Sequence, residues 1–322
     1  MRRREFITLV CGAAAAWLPV VQVRAASPRI GYLAFRSPLS ADDAFLQRLR
    51  ELGWIEGQNV TIERRFAVGD YGRLKEFASE LVRSKVSVIL AAASEATKAA
   101  NDVNTSIPII FANAGDPVGQ GFVQSLAHPA GNITGVAFDA SPDITAKQAQ
   151  LLIEVVPKMS RMAVLWNPAS AFLHSYWNVL KASGSALGVK LQPLQVRDPS
   201  EFESAFEAMT RENADGLIVL SDTFTTLYRA SLAELAAKYR LPTIYGHDQY
   251  IDAGGLMSYG PSLPEGYRLA AAFVDKILRG AKPADLPVEL PTKFELIINL
   301  ETAKRLNLHI PPAVLSRADK VV

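Results

Sequence analysis

"IPIIFANAGDPVGQGF", residues Ile107 to Phe122, is the stretch on which the fold turns. Its opening residues read as a buried strand, and the chain then becomes polar at Asn113, Gly115, Asp116 and Pro117. A short apolar run closed by Gly, Asp and Pro marks a strand that ends in a turn. The same design returns in "RLPTIYGHDQ", residues 240–249, with Leu-Pro in place of Ile-Pro.

The repetition extends through both halves of the chain. "RIGYLA" (29–34) is matched by "RMAVLW" (161–166), and "VTIERRFA" (60–67) by "VKLQPLQV" (189–196). "VSVILAAASEAT" (86–97) is matched by "DGLIVLSDTFTT" (215–226), with helical patterns between the strands. The matches keep one order and are offset by 129 to 134 residues. Strands alternating with amphipathic helices predict βαβ units and parallel sheets. The expectation is an α/β protein of two Rossmann-like lobes facing each other across a cleft. Ligands of such sheets sit beyond the carboxyl ends of the strands. Crossings between lobes are expected near Gly135–Ser141 and Gly254–Ser262, short strands ending in flexible residues. This divides the chain into a first lobe of 27–138 plus 257–284 and a second of 139–256 plus 285–322.

The first 26 residues read as a leader. Arg2, Arg3 and Arg4 precede an apolar run from Phe6 to Val21, and "VRA" places small residues where a signal peptidase acts. "RREF" also fits a twin-arginine leader, so both export routes remain open. Removing the leader lowers the basic count from 34 to 30 and the acidic count from 32 to 31, taking the net charge from +2 to −1. No phosphate-tracking surface is expected, and no nucleic-acid partner. The only cysteine, Cys11, lies in the leader, which excludes disulfides and a thiol nucleophile from the mature chain.

No catalytic motif stands out. "GQG" at Gly119–Gly121 lacks a third glycine at dinucleotide-binding spacing. The four histidines are scattered and suggest no metal site. The strand ends instead offer hydrogen-bonding and aromatic groups. Phe35, Ser94, Thr97, Asn113, Asp116 and Asp139 are expected at the cleft from the first lobe. Trp166, Asn167, Asp222, Phe224, His247 and Tyr259 are expected from the second. Ser94 reads as a helix cap, an anion contact, or both. Asp116 fixes a turn or faces the ligand. Asp222 caps a helix or faces a cation, and Trp166 is core or a stacking surface.

"IPIIFANAGDPVGQGFVQSLAHPAGNITGV", "AGGLMSYG" and the closing "VDKILRGAKPADLPVELPTKFELIINLETAKRLNLHIPP" resemble the substrate-binding proteins of bacterial ABC importers. The resemblance runs from Arg29 to the C-terminus. It implies the type I periplasmic binding-protein fold, a three-strand hinge with a third crossing near "ELPTKFEL", and closure on a small molecule. Relatives include binders of tryptophan and other aromatic amino acids. The resemblance implies that Ser94, the turn Asp116–Val118 and the "SDTF" turn border the ligand. Many relatives carry Asp-Pro in that last turn, where this chain has Phe224.

The resulting expectation is a periplasmic, monomeric receptor without cofactor or catalysis. It would deliver an aromatic amino acid or other small carboxylate to an inner-membrane permease with its ATPase. A sensor presenting the solute to a signalling partner is the alternative. An exported two-lobed enzyme would need a nucleophile–base pair, and none is evident.

Overall fold

The computed structural model describes residues 27–103, 106–138 and 141–322. The proposed leader lies outside the described residues. The first lobe runs β1 (Arg29–Ala34), α1 (Ala41–Glu51), β2 (Thr61–Phe66), α2 (Tyr71–Arg83), β3 (Val88–Ala92), α3 (Ala93–Asp102), β4 (Ile109–Ala114) and β5 (Ile133–Ala137). The second runs α4 (Ile144–Val155), β6 (Arg161–Trp166), α5 (Leu173–Leu187), β7 (Lys190–Gln195), α6 (Phe202–Arg211) and β8 (Gly216–Val219). It continues through α7 (Thr223–Leu227), α8 (Arg229–Lys238), β9 (Thr243–Tyr245), α9 (Gln249–Asp252) and β10 (Met257–Pro261). The closing segment adds α10 (Leu263–Leu278), β11 (Phe294–Ile298), α11 (Leu300–Arg305), α12 (Pro312–Leu315) and β12 (Lys320–Val321).

The strands form two sheets. The first has the order β2-β1-β3-β4-β5, and the second β12-β11-β10-β9-β8-β6-β7. Strands β6 to β10 therefore repeat the arrangement of β1 to β5. All pairings are parallel except β10 with β11. Both faces of each sheet are covered, so strand residues enter two cores alternately. Ile30, Tyr32 and Ala34 face one core of the first lobe, while Leu33 and Phe35 face the other. This double burial explains why β3, "VILAA", is apolar throughout.

Helices begin and end where local chemistry dictates. Asp70 caps α2 by accepting from the Arg73 amide at 3.0 Å. Gly188, at φ 70°, ends α5 in the left-handed conformation that costs glycine least. Gly135 in β5 has φ 152°, and a Cβ there would lie 2.1 Å from the Phe111 carbonyl oxygen. A side chain at this position would push β5 away from β4.

The three passages between lobes differ in part from the expected boundaries. The first lies between β5 and α4. The second lies at Pro261–Ser262, because residues 257–261 pair with β9 and β11 in the second sheet. The return is thus later than Met257, and α10 then packs on α1 and on β3–β5. Glu289 bridges Val136 and the Val288 amide donates to Leu126, so the chain stays with the first lobe beyond residue 285. It enters the second sheet only at Phe294, within the third crossing implied by the resemblance.

Candidate functional site

The loops after the strands meet across the interlobe cleft and enclose a cavity. It holds about 540 Å³ of space free of protein atoms, its mouth included. Arg36, Leu39, Ala93, Ser94, Asn113, Gly115, Phe138, Leu263 and Tyr267 line it from the first lobe. Phe172, Ser221, Asp222, Thr223, Thr226 and His247 line it from the second. The lobes touch around it. Thr223 hydrogen-bonds Glu95, and the Gln249 amide donates to the Ser40 hydroxyl at 3.3 Å. Phe172 packs directly on Gly115, where a Cβ would lie 2.8 Å from the ring.

The backbone at these strand ends is unusual. Ala93, Asn113 and Asp116 have φ of 67°, 60° and 36°, values that residues with a Cβ rarely adopt. The β4–β5 register shifts between Ala112 and Ala114, so Asn113 sits in a bulge at the cavity wall. Bulges re-aim side chains at the ends of paired strands. Strained backbone of this kind concentrates at ligand-binding positions.

Ser94 stands in the first turn of α3 but does not cap it; Ala92 occupies the cap position. The Ser94 hydroxyl instead accepts from the Gly115 amide at 3.1 Å and the Gln120 side chain at 2.9 Å. A serine hydroxyl has two acceptor sites and one proton. Both acceptor sites are used, and the hydroxyl proton has no acceptor among the described residues.

Asp222 faces Ser94's lobe from the start of α7. One carboxylate oxygen accepts from the Thr225 amide at 2.8 Å, and the Thr225 hydroxyl accepts in turn from the Asp222 amide at 3.0 Å, completing a capping box. The other oxygen accepts from the Asn167 amide at 2.9 Å. Burial raises the Asp222 pKa, while these hydrogen bonds pull it back. His247 is driven down to about 3 by burial, with Arg229 and Arg36 adding repulsion, so its imidazole is neutral. Its Nε2 lies 3.0 Å from the Thr226 hydroxyl, and its buried Nδ1 has no hydrogen-bond partner among the described residues.

Arg36 belongs to a buried ionic cluster. Its guanidinium donates to Asp42 at 2.5 Å and to the Tyr267 hydroxyl at 2.5 Å, and Tyr32 donates to Asp42 at 2.6 Å. Burial works against the Arg36 charge, yet Tyr267, Tyr32 and Asp42 hold its pKa well above the ordinary value. The Arg36 charge is thus answered inside the protein rather than presented bare to the cavity.

Of the residues expected at the cleft, Ser94, Asn113, Asp222 and His247 line the cavity. Asn167 stands behind Asp222 as its hydrogen-bond donor. Phe35 is turned into the first-lobe core beside Tyr71, with ring centroids 4.4 Å apart. Thr97 is buried in α3, donating to the Ala93 carbonyl at 2.8 Å. Asp116 fixes its turn by accepting from the Gly119 amide at 2.9 Å. Trp166 is core, stacked against Trp177. Phe224 packs between Phe202 and Tyr228. Tyr259 lies on β10 against Phe294 at the crossing strands. Asp139 lies outside the described residues. For Phe35, Trp166 and Tyr259 the reason is alternation, each pointing into a sheet face instead of off the strand end, whereas Phe224 lies in α7 and follows the turn of that helix.

Leu39, Phe138, Phe172, Leu263 and Tyr267 join the wall without being expected there. Leu263 and Tyr267 sit in the apolar stripe of α10, where nothing separates a cavity wall from a core contact. Phe138 carries the signal of a residue just beyond a strand end. Among the described residues, no three His, Cys, Asp or Glu side chains are grouped to hold a metal.

The chain is similar to several known proteins. The "Tyrosine-binding protein" of Clostridioides difficile (strain R20291) is 26% identical over 269 residues, covering 83% of this chain and 76% of that protein. A Streptococcus pneumonia domain solved in complex with L-Trp superposes with a TM-score of 0.84 at 25% identity, covering 92% of this chain and 100% of that one. A conserved domain protein from Vibrio cholerae O1 biovar El Tor gives 0.85 at 27% identity, with coverage of 92% and 100%. The architecture is that of the type I periplasmic binding proteins. The family model for ABC transporter substrate binding proteins, a binding and non-catalytic class, matches residues 36–322, and this chain belongs to that family.

Proposed function

We propose that this protein is the periplasmic receptor of an ABC importer and that its cargo is an aromatic amino acid or another small carboxylate. The observation that carries the cargo class is the Ser94 hydroxyl, with both acceptor sites occupied and its proton free for an anionic oxygen. The uncapped first turn of α3 beside it adds amide dipoles of the favourable sign. Asp222, from the opposite lobe, suits an ammonium group, and Phe138 and Phe172 offer ring faces to an aromatic body.

Capture follows from the arrangement. Cargo settles on one open lobe, and the other closes over it, stripping water from the polar contacts and strengthening them. The closed protein, a monomer, docks on an inner-membrane permease driven by a separate ATPase. The leader carries it out of the cytoplasm. The C. difficile relative named for tyrosine and the pneumococcal domain holding L-Trp support the aromatic assignment.

A thermal-shift panel of L-tryptophan, L-tyrosine, L-phenylalanine and non-amino aromatic acids tests the reading. Cargo at a hundredfold excess over its Kd stabilises the fold by about 2.7 kcal/mol. An upward shift with at least one of these carboxylates is expected; none at millimolar concentration sinks the assignment.

A further inference from the structure

Glu95 lies one residue beyond Ser94, on the first turn of α3, and it faces the other lobe. Its carboxyl meets the hydroxyl of Thr223, the first residue of α7. Asp222 immediately precedes Thr223. Closing the cleft therefore gathers two carboxyl groups, one from each lobe, around a single interlobe hydrogen bond.

The other groups facing Glu95 offer no compensating partner. From α2 come Tyr71 and Lys75, which share the groove containing Glu95. From α3 itself come Lys98 and Asp102, paired with each other at 2.8 Å. The facing loop contributes Ala169, Ser170 and Ala171, and Gln120 completes the wall, all uncharged. No ion pair to Glu95 is present among the described residues.

We propose that closure of the two lobes takes up a proton at Glu95, so that the Glu95–Thr223 contact is a proton-dependent latch. The Thr223 hydroxyl suits this role because it can donate to a carboxylate or accept from a neutral carboxyl. A neutral Glu95 also removes its repulsion with Asp222.

The electrostatics agree with the geometry. In the closed form, burial and then Asp222 raise Glu95 from 4.5 to about 7, against the smaller opposing pull of Thr223. When the lobes part, Glu95 regains water and loses both neighbours, and its pKa returns toward the ordinary value. Between these two values the closed form binds more protons than the open one. Closure is therefore favoured as pH falls, and the gain is lost as pH rises through about 7. The equilibrium shifts by about tenfold between pH 8 and pH 6.

The test is single-molecule energy transfer between one dye on each lobe of the cargo-free protein. The closed-to-open ratio should rise about tenfold from pH 8 to pH 6 in the wild type. In Glu95→Gln, a neutral carboxyl mimic, it should be independent of pH and at pH 8 already exceed the wild-type pH 6 value, because the open wild type still carries a charged Glu95 at pH 6. A wild-type ratio that ignores pH overturns the latch, as does an equal response in the variant. The measurement needs no cargo, so its outcome does not depend on whether the cargo is an amino acid.

Discussion

The Asn167 side-chain amide donates to the Asp222 carboxylate at 2.9 Å, and both residues are buried. Asn167 follows β6 and Asp222 follows β8, neighbours in the sheet, so the bond ties two strand-end loops together beneath the cavity floor. Asn167→Leu leaves one Asp222 oxygen without this donor. A buried group that loses its partner costs about 1–3 kcal/mol. Urea denaturation should record a loss of that size, and calorimetry a weaker binding of cargo, because Asp222 is no longer held in place.

Gly115 and Phe172 come from different lobes and touch across the cleft. Gly115→Ala places a methyl where the Phe172 ring now lies. Overpacking costs about 1–3 kcal/mol, and about 1.4 kcal/mol is a decade in affinity. Cargo binding should weaken roughly five- to hundredfold while cargo-free thermal stability stays near wild type. Adding Phe172→Ala should recover part of the affinity; a large loss of cargo-free stability in the single variant would refute the closure account.

Arg36 and Asp42 stabilise each other inside the first lobe. Removing one member of a buried ion pair costs about 3–5 kcal/mol, because the other charge is stranded. Arg36→Met should show such a loss by chemical denaturation. The double variant Arg36→Met with Asp42→Leu should be less damaged than the single, since no stranded charge remains.

Trp166 provides the complementary case. It is 2% exposed and lies within the second-lobe core. Trp166→Phe should lower stability on the order of 1–2 kcal/mol and leave cargo affinity within about twofold of wild type. A loss of affinity at unchanged stability would assign it to the ligand instead.

The halves of this fold are legible as text because a strand buried on both faces must be apolar, and its exit into a turn must be polar. "IPIIFANAG" and "LPTIYGHDQ" carry that contrast at equivalent places. Ser94, Asn113, Asp222 and His247 follow from the same rule, being the polar groups next to strand ends. The rule fails for Phe35 and Trp166, which face the core or the cleft according to strand alternation, and for Phe224, whose direction is set by the first turn of α7. It fails also for Tyr267, which reaches Arg36 across 231 residues of chain.

The two repeated halves, the parallel sheets and the side of each sheet on which polar groups gather can be read from the chain alone, because periodicity and turn chemistry are local properties. Which of those groups share one cavity, the Asn113 bulge, the place of β10 in the second sheet and the meeting of Glu95 with Thr223 emerge only in the folded protein. Those relationships depend on how one lobe is set against the other, and the contacts that set it join residues far apart in the chain.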